Sequence, residues 1–215
     1  MSSALVIDHL VYATPDLHAT INAVEAALGV RAIIGGSHIG RGTWNALLSL
    51  GDGANAGPYL ELIAPDPAQP EPELPRPFSV DSVSSPRLVT WAVRTNDLDS
   101  VVEIARRRGY DPGPAVSMQR ATPGGETLSW RLTQPPADGA GLIPFIIDWG
   151  TAKHPSLSAP GGVRLIAFEA TTPDGGETVA AALEALGLQS SLSFSRASEI
   201  HLTAHLVGPA GELTI

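Results

Sequence analysis

The amino-acid sequence predicts an α+β fold of tandem β-α-β-β-β modules whose strands form curved mixed sheets. Three observations carry this. A β-rich run, a turn signal and an amphipathic helix closed by glycine recur three times, anchored at Thr14, Thr95 and Thr172. The distance from that Thr to the closing Gly29, Gly109 or Gly187 is 15, 14 and 15 residues. Each helix is then followed by short β runs separated by turn residues.

The segments that open the three copies read Val6 to Asp16, Leu88 to Asp97 and Val163 to Asp174. At each helix start, the Thr or the Asp two residues later can accept from the first free backbone amides. Pro15 and Pro173 suit the first helical turn, where a missing amide hydrogen costs nothing. Leu17, Ile21, Val24 and Leu28 make one apolar stripe at helical spacing. Leu98, Val101, Val102 and Ala105 repeat it, as do Val179, Leu183 and Leu186. The β runs after the first helix are Arg31 to Ile34, Trp44 to Leu50 and Tyr59 to Ile63. After the second they are Ala115 to Gln119, Leu128 to Thr133 and Ile143 to Trp149, and after the third Ser190 to Arg196, Glu199 to Val207 and Glu212 to Ile215.

The resulting division is a first module over 1–66, a Pro-rich linker over 67–86 and a second module over 87–150. A second linker covers 151–162 and a third module 163–215. The Pro-rich stretch is too poor in amide donors for helix or central strand, so it is expected to run extended over the surface. An odd number of modules leaves one without an internal mate, which a homodimer would supply across a two-fold axis.

Composition narrows function. A net charge of −9 disfavours nucleic acid, and the one basic cluster, Arg106 to Arg108, complements the negative end of a helix dipole. No cysteine is present, which removes thiol nucleophiles, disulfides and thiolate metal sites. No apolar run approaches the roughly 20 residues needed to span a bilayer, and the first residues do not read as a signal peptide, so a cytoplasmic location is the default. Nucleotide-cofactor fingerprints and nucleophile elbows are lacking.

The segments Ile7-Asp8-His9-Leu10-Val11 and Tyr59-Leu60-Glu61-Leu62-Ile63, with Gly40-Arg41-Gly42-Thr43-Trp44-Asn45 between them, resemble the glyoxalase-like branch of the vicinal-oxygen-chelate superfamily. The stretches Trp130-Arg131-Leu132-Thr133 and Pro144 to Gly150, followed by His154-Pro155, extend the resemblance over nearly the whole chain. It implies paired modules curled into a cup around a divalent metal (Zn, Mn, Fe or Ni), with ligands on the first and last strands of each module. His9 and Glu61 match two such positions, and Asp148 lies near a third on a register open by one residue. Thr90 and Ala167 stand where His9 would recur. The implied activity is metal-dependent lyase, isomerase or dioxygenase chemistry on a small oxygen-rich molecule; the alternative is metal-free sequestration, as in resistance proteins of the superfamily.

His38, Arg41 and Asn45 lie around a Gly-rich hairpin that could place donors around a substrate, and Trp44 and Trp149 are candidate cup walls. No residue is assigned a catalytic role. His201 and His205 share a strand face but lie about 13 Å apart, too far for one metal. His154 reads as a structural loop residue.

Overall fold

The computed structural model describes residues 4–51, 55–122, 124–134 and 140–215. The first module runs β1 (Val6–Ala13), α1 (Leu17–Leu28), β2 (Ile33–His38), β3 (Thr43–Ser49) and β4 (Tyr59–Pro65). The second runs β5 (Arg87–Arg94), α2 (Leu98–Arg107), β6 (Ala115–Ala121), β7 (Thr127–Thr133) and β8 (Phe145–Asp148). Their eight strands close into one barrel in the order β1-β4-β3-β2-β6-β7-β8-β5.

The first two helices form where the sequence places them, with Pro15 just ahead of the cap rather than in the first turn, and the third starts later than expected, at Glu177 after Gly176, leaving Pro173 and Asp174 outside it. Asp16 accepts from the Ala19 amide and Asp97 from the Ser100 amide, so the acids rather than the threonines cap the first two helices. Leu17, Ile21, Val24 and Leu28 are buried, and Gly29 ends α1 in the left-handed region.

In each module the opening strand pairs parallel with the last one, β1 with β4 and β5 with β8. β1 and β5 join antiparallel at the seam, with His9 opposite Ala92 and Val11 opposite Thr90. These two pairings exchange under the two-fold that relates the modules, which makes Thr90 the counterpart of His9. Alternate residues face opposite sides of each strand. Val11, Ile63, Ala92, Phe145 and Ile147 pack inside the barrel, while Leu10, Leu60, Leu62, Trp91 and Ile146 pack outward against the helices.

The Pro-rich linker departs from expectation. It stays largely exposed, but rather than running extended throughout it winds into a 3-10 segment over Pro77–Ser82, from which Val80 and the following Val83 join the apolar cluster inside the barrel. Two buried valines outweigh the lack of regular structure around them. Arg76 pins the approach, donating to the carbonyls of Gly42, Gln69 and Pro70. The inward turn puts Phe78 and Ser79 at φ 58° and 52°, a left-handed conformation that L side chains rarely adopt.

The third module keeps the order of elements but not the order of strands. It consists of β9 (Arg164–Thr172), α3 (Glu177–Leu186), β10 (Ser193–Arg196), β11 (His201–Gly208) and β12 (Gly211–Thr214), paired as β10-β9-β11-β12. Here the strand after the helix, not the last strand, lies parallel to the opener. Phe168, Ala170, Leu202, Ala204 and Leu206 pack into the outer core, with Phe168 edge-on to Trp91 at 5.4 Å. This sheet therefore braces the outside of the barrel and forms no second cup. Among the described residues no helix is long and apolar enough to cross a membrane.

Candidate active site

The barrel holds a cavity of about 200 Å³. Its polar side comes mainly from the first module, where the strand registers stagger the side chains along one face, with Arg120 and Gln134 added by the second. Glu61 lies opposite Val11, two residues beyond His9 on the same face, and Asn45 lies opposite Ile63, one step further. His38 lies opposite Arg120, where β2 meets β6 and the two modules join on this side.

His9 is 3 % exposed. Its Nδ1 is 2.6 Å from Asp8 Oδ1, and its Nε2 is 3.7 Å from Glu61 Oε2. Adjacent strand residues ordinarily face opposite sides. The register shift between Ile7 and His9 makes Asp8 the extra residue of a bulge, which turns its carboxylate toward the neighbouring ring. Asp8 is fully buried, and its other oxygen meets His154 Nε2 at 2.8 Å and accepts from Trp149 Nε1 at 3.1 Å. Burial pushes its pKa up, but the hydrogen bonds and charges of His154 and His9 outweigh this and hold it well below the usual carboxylate range. Tyr59 stacks on the His9 ring at 4.7 Å. Burial, with the charges of Asp8 and Glu61, raises its phenol well above 10, so the hydroxyl stays neutral.

Glu61 accepts from Asn45 Nδ2 at 2.5 Å, and Asn45 Oδ1 accepts from Arg120 Nη1 at 2.8 Å. A Cβ on Gly35 would lie 2.0 Å from Arg120 Nη1 and 2.3 Å from Asn45 Oδ1, so glycine there is what admits this bond. His38 Nδ1 pairs with Thr43 Oγ1 at 2.9 Å, and its Nε2 is 3.7 Å from Glu61 Oε1. Burial lowers the His38 pKa to about 4; Glu61 opposes this, and the charges of Arg120 and Arg41 add to it. The opposite wall is apolar. Phe78 stacks on Phe145 at 5.8 Å, and Trp130 meets Trp149 at 5.2 Å.

Of the residues singled out from sequence, His9, Glu61, His38, Arg41, Asn45 and Trp149 line this cavity. Two others are placed elsewhere. Asp148 lies on the far face of β8, accepting from the Gly150 amide at 2.8 Å, because Phe145 and Ile147 take the inward positions. Trp44 faces the outer core, edge-on to His18 at 5.2 Å. His154, taken for a loop residue, is one of the partners of Asp8. Tyr59, Arg120 and Phe78 were not anticipated.

The four-ligand set implied by the resemblance is not assembled. Thr90 replaces His9 in the second module, and its hydroxyl is buried without a partner. Phe145 faces Ala92 as Glu61 faces Val11, so a phenyl ring stands at the fourth position. The Asn45 amide occupies one Glu61 oxygen, and among the described residues no group of three or more His, Asp or Glu side chains could hold an ion. The side chains present do not fit the metal.

A barrel closed from two β-α-β-β-β modules around a buried polar cluster defines a protein of the vicinal-oxygen-chelate fold. The chain belongs to the glyoxalase-like domain family, whose model matches residues 7–187. Comparison with curated proteins gives no match. Among solved structures, a hypothetical protein from Staphylococcus aureus superposes with a TM-score of 0.63 at 16% identity, covering 98% of this chain and 85% of that one. A Streptomyces coelicolor methylmalonyl-CoA epimerase in complex with 2-nitronate-propionyl-CoA gives 0.49 at 22% identity, over 70% of this chain and 100% of that one. The Mycobacterium tuberculosis methylmalonyl-CoA epimerase gives 0.44 at 20% identity, over 69% and 91%. At these identities the likeness is one of fold.

Proposed function

We propose that the barrel cavity binds a small oxygen-rich organic molecule and that His9 moves a proton on it, as in isomerase or lyase chemistry. The observation that carries this reading is the 2.6 Å contact of His9 Nδ1 with the buried Asp8 carboxylate. Asp8, held ionised, can only accept, so the proton of a neutral His9 sits on Nδ1 and a bare Nε2 lone pair faces the cavity. An orienting carboxylate behind a base is the arrangement that general-base catalysis uses. Glu61, 3.7 Å from that nitrogen, is too far to hydrogen-bond it and close enough to handle the same substrate proton. No step is routed through a metal, because the donor set does not supply one.

The aromatic wall favours a second reading, in which the cavity sequesters a ligand without changing it. One experiment separates the two. The protein is incubated in D2O with 2-oxo and 2-hydroxy acids and their neutral derivatives, and loss of the C3–H signal of the oxo compounds or the C2–H signal of the hydroxy compounds is followed by NMR. The enzyme reading expects exchange that falls by about 10²-fold or more in His9→Gln. Saturable binding with no exchange on any compound leaves sequestration as the function.

A further inference from the structure

We infer that the ligand of this cavity is a monocarboxylate with a flat apolar body, its carboxylate received by Arg41 and Arg120. This rests on the reading that the barrel cavity is the ligand site, and it is independent of whether His9 transfers a proton.

Charge is the first argument. Among the side chains lining the cavity, two guanidiniums, Arg41 and Arg120, face a single carboxylate, Glu61. Asp8 lies behind His9, shared among His9, His154 and Trp149, and its charge is met by Arg94 at 3.9 Å. Neither arginine forms an ion pair within 4 Å among the described residues; Arg120 donates only to the neutral amide oxygen of Asn45. One positive charge is left over in an apolar enclosure, where an unpaired ion is costly. A monoanion restores neutrality.

An unmet hydrogen bond is the second. Among the described residues Arg41 Nε is buried without a hydrogen-bond partner, and the guanidinium it belongs to lines the cavity and can only donate. A buried donor left without an acceptor costs about 1–3 kcal/mol, so an acceptor-rich group beside this guanidinium is the complement the site lacks. The guanidinium fork matches a carboxylate.

The rest of the ligand follows from the opposite wall. Phe78, Phe145, Trp130 and Trp149 present ring faces and edges, which suit a planar unsaturated or aryl group. The Arg120 position is built in: β2 carries Gly35 where any side chain would collide with the guanidinium.

The test is isothermal titration with benzoate, phenylpyruvate and mandelate against benzamide and mandelamide. At least one acid is expected to bind about 10-fold or more tightly than its amide. Arg120→Met and Arg41→Met should each erase that preference. If Arg120→Met fails to give the native circular dichroism spectrum, Arg41→Met decides the matter. Equal affinity for acid and amide, a preference untouched by the variants, or no acid saturating below about 10 mM overturns the inference. Acid binding without proton exchange would sink the general-base reading and leave this site standing; exchange confined to neutral compounds would do the reverse.

Discussion

Protonation of His38 offers the sharpest test of how the cavity is built. The unfolded chain takes up a proton at this side chain near pH 6.5, whereas the folded imidazole, 6 % exposed, resists until about pH 4. Burial is the main cause, Glu61 opposes it, and Arg120 and Arg41 reinforce it. Between those two values the unfolded state binds more protons, so stability falls as pH is lowered through the window. The slope approaches about 1.4 kcal/mol per pH unit, and the loss reaches about 3 kcal/mol by pH 4. Above 6.5 both states are neutral and below about 4 both are charged, so the contribution is flat outside the window. Urea unfolding followed by tryptophan fluorescence at intervals from pH 7.5 to 4 gives the slope, and His38→Gln should remove it. The histidine resonances followed by NMR over the same range identify the group directly. A His38 resonance titrating near 6.5, or a glutamine variant with the parent's slope, would refute burial among guanidiniums as the cause.

Asp8→Asn leaves the His9, His154 and Trp149 partners with a single neutral acceptor, and should cost about 3 kcal/mol in urea unfolding at pH 7. Because the folded carboxyl titrates below its ordinary 3.8, the stability it contributes is present above that pH and lost as pH falls through the folded value; the gap between parent and variant should therefore close in acid. A cost under about 1 kcal/mol at pH 7 would show that the two imidazoles do not depend on it. Ser79→Gly should relieve a left-handed backbone at an exposed position, raising the melting temperature by about 2–3 °C for about 0.5–1 kcal/mol gained; a fall would show that the inward turn of the linker is not strained.

How much could be read from the chain follows the range of the physical signals. The stripes Leu17-Ile21-Val24-Leu28 and Leu98-Val101-Val102-Ala105 are local, and so are the capping acids and closing glycines, so the helices stand where the pattern puts them. The meeting of His9 and Glu61 was legible through the resemblance and through strand alternation. Asp148 was not, because a one-residue register decides which face it takes and only the pairing of β8 with β5 and β7 sets that register. The contact of Asp8 with His9 depends on a bulge that no local pattern announces. Arg120 reaches Asn45 across 75 residues of sequence, beyond any periodicity. Val80 and Val83 are an apolar pair inside a Pro-rich run, and their burial became visible only once the barrel had an end to fill.

The third module shows how one succession of elements can yield two sheets. In the first two modules the last strand pairs with the opener, which leaves the opener's other edge free for the seam between β1 and β5. In the third, β10 and β11 take both edges of β9, so no seam of that kind remains available. A cup built through such a seam is therefore barred by hydrogen bonding within the module itself. The consequence reaches the site. With the third module spent on bracing the outer core, the polar groups must come from the first two alone. Of these, the second places Thr90 and Phe145 where the first has His9 and Glu61. Divergence between the halves has made a cavity with one chemical side and one apolar side, a division that suits an amphipathic ligand held in a single orientation.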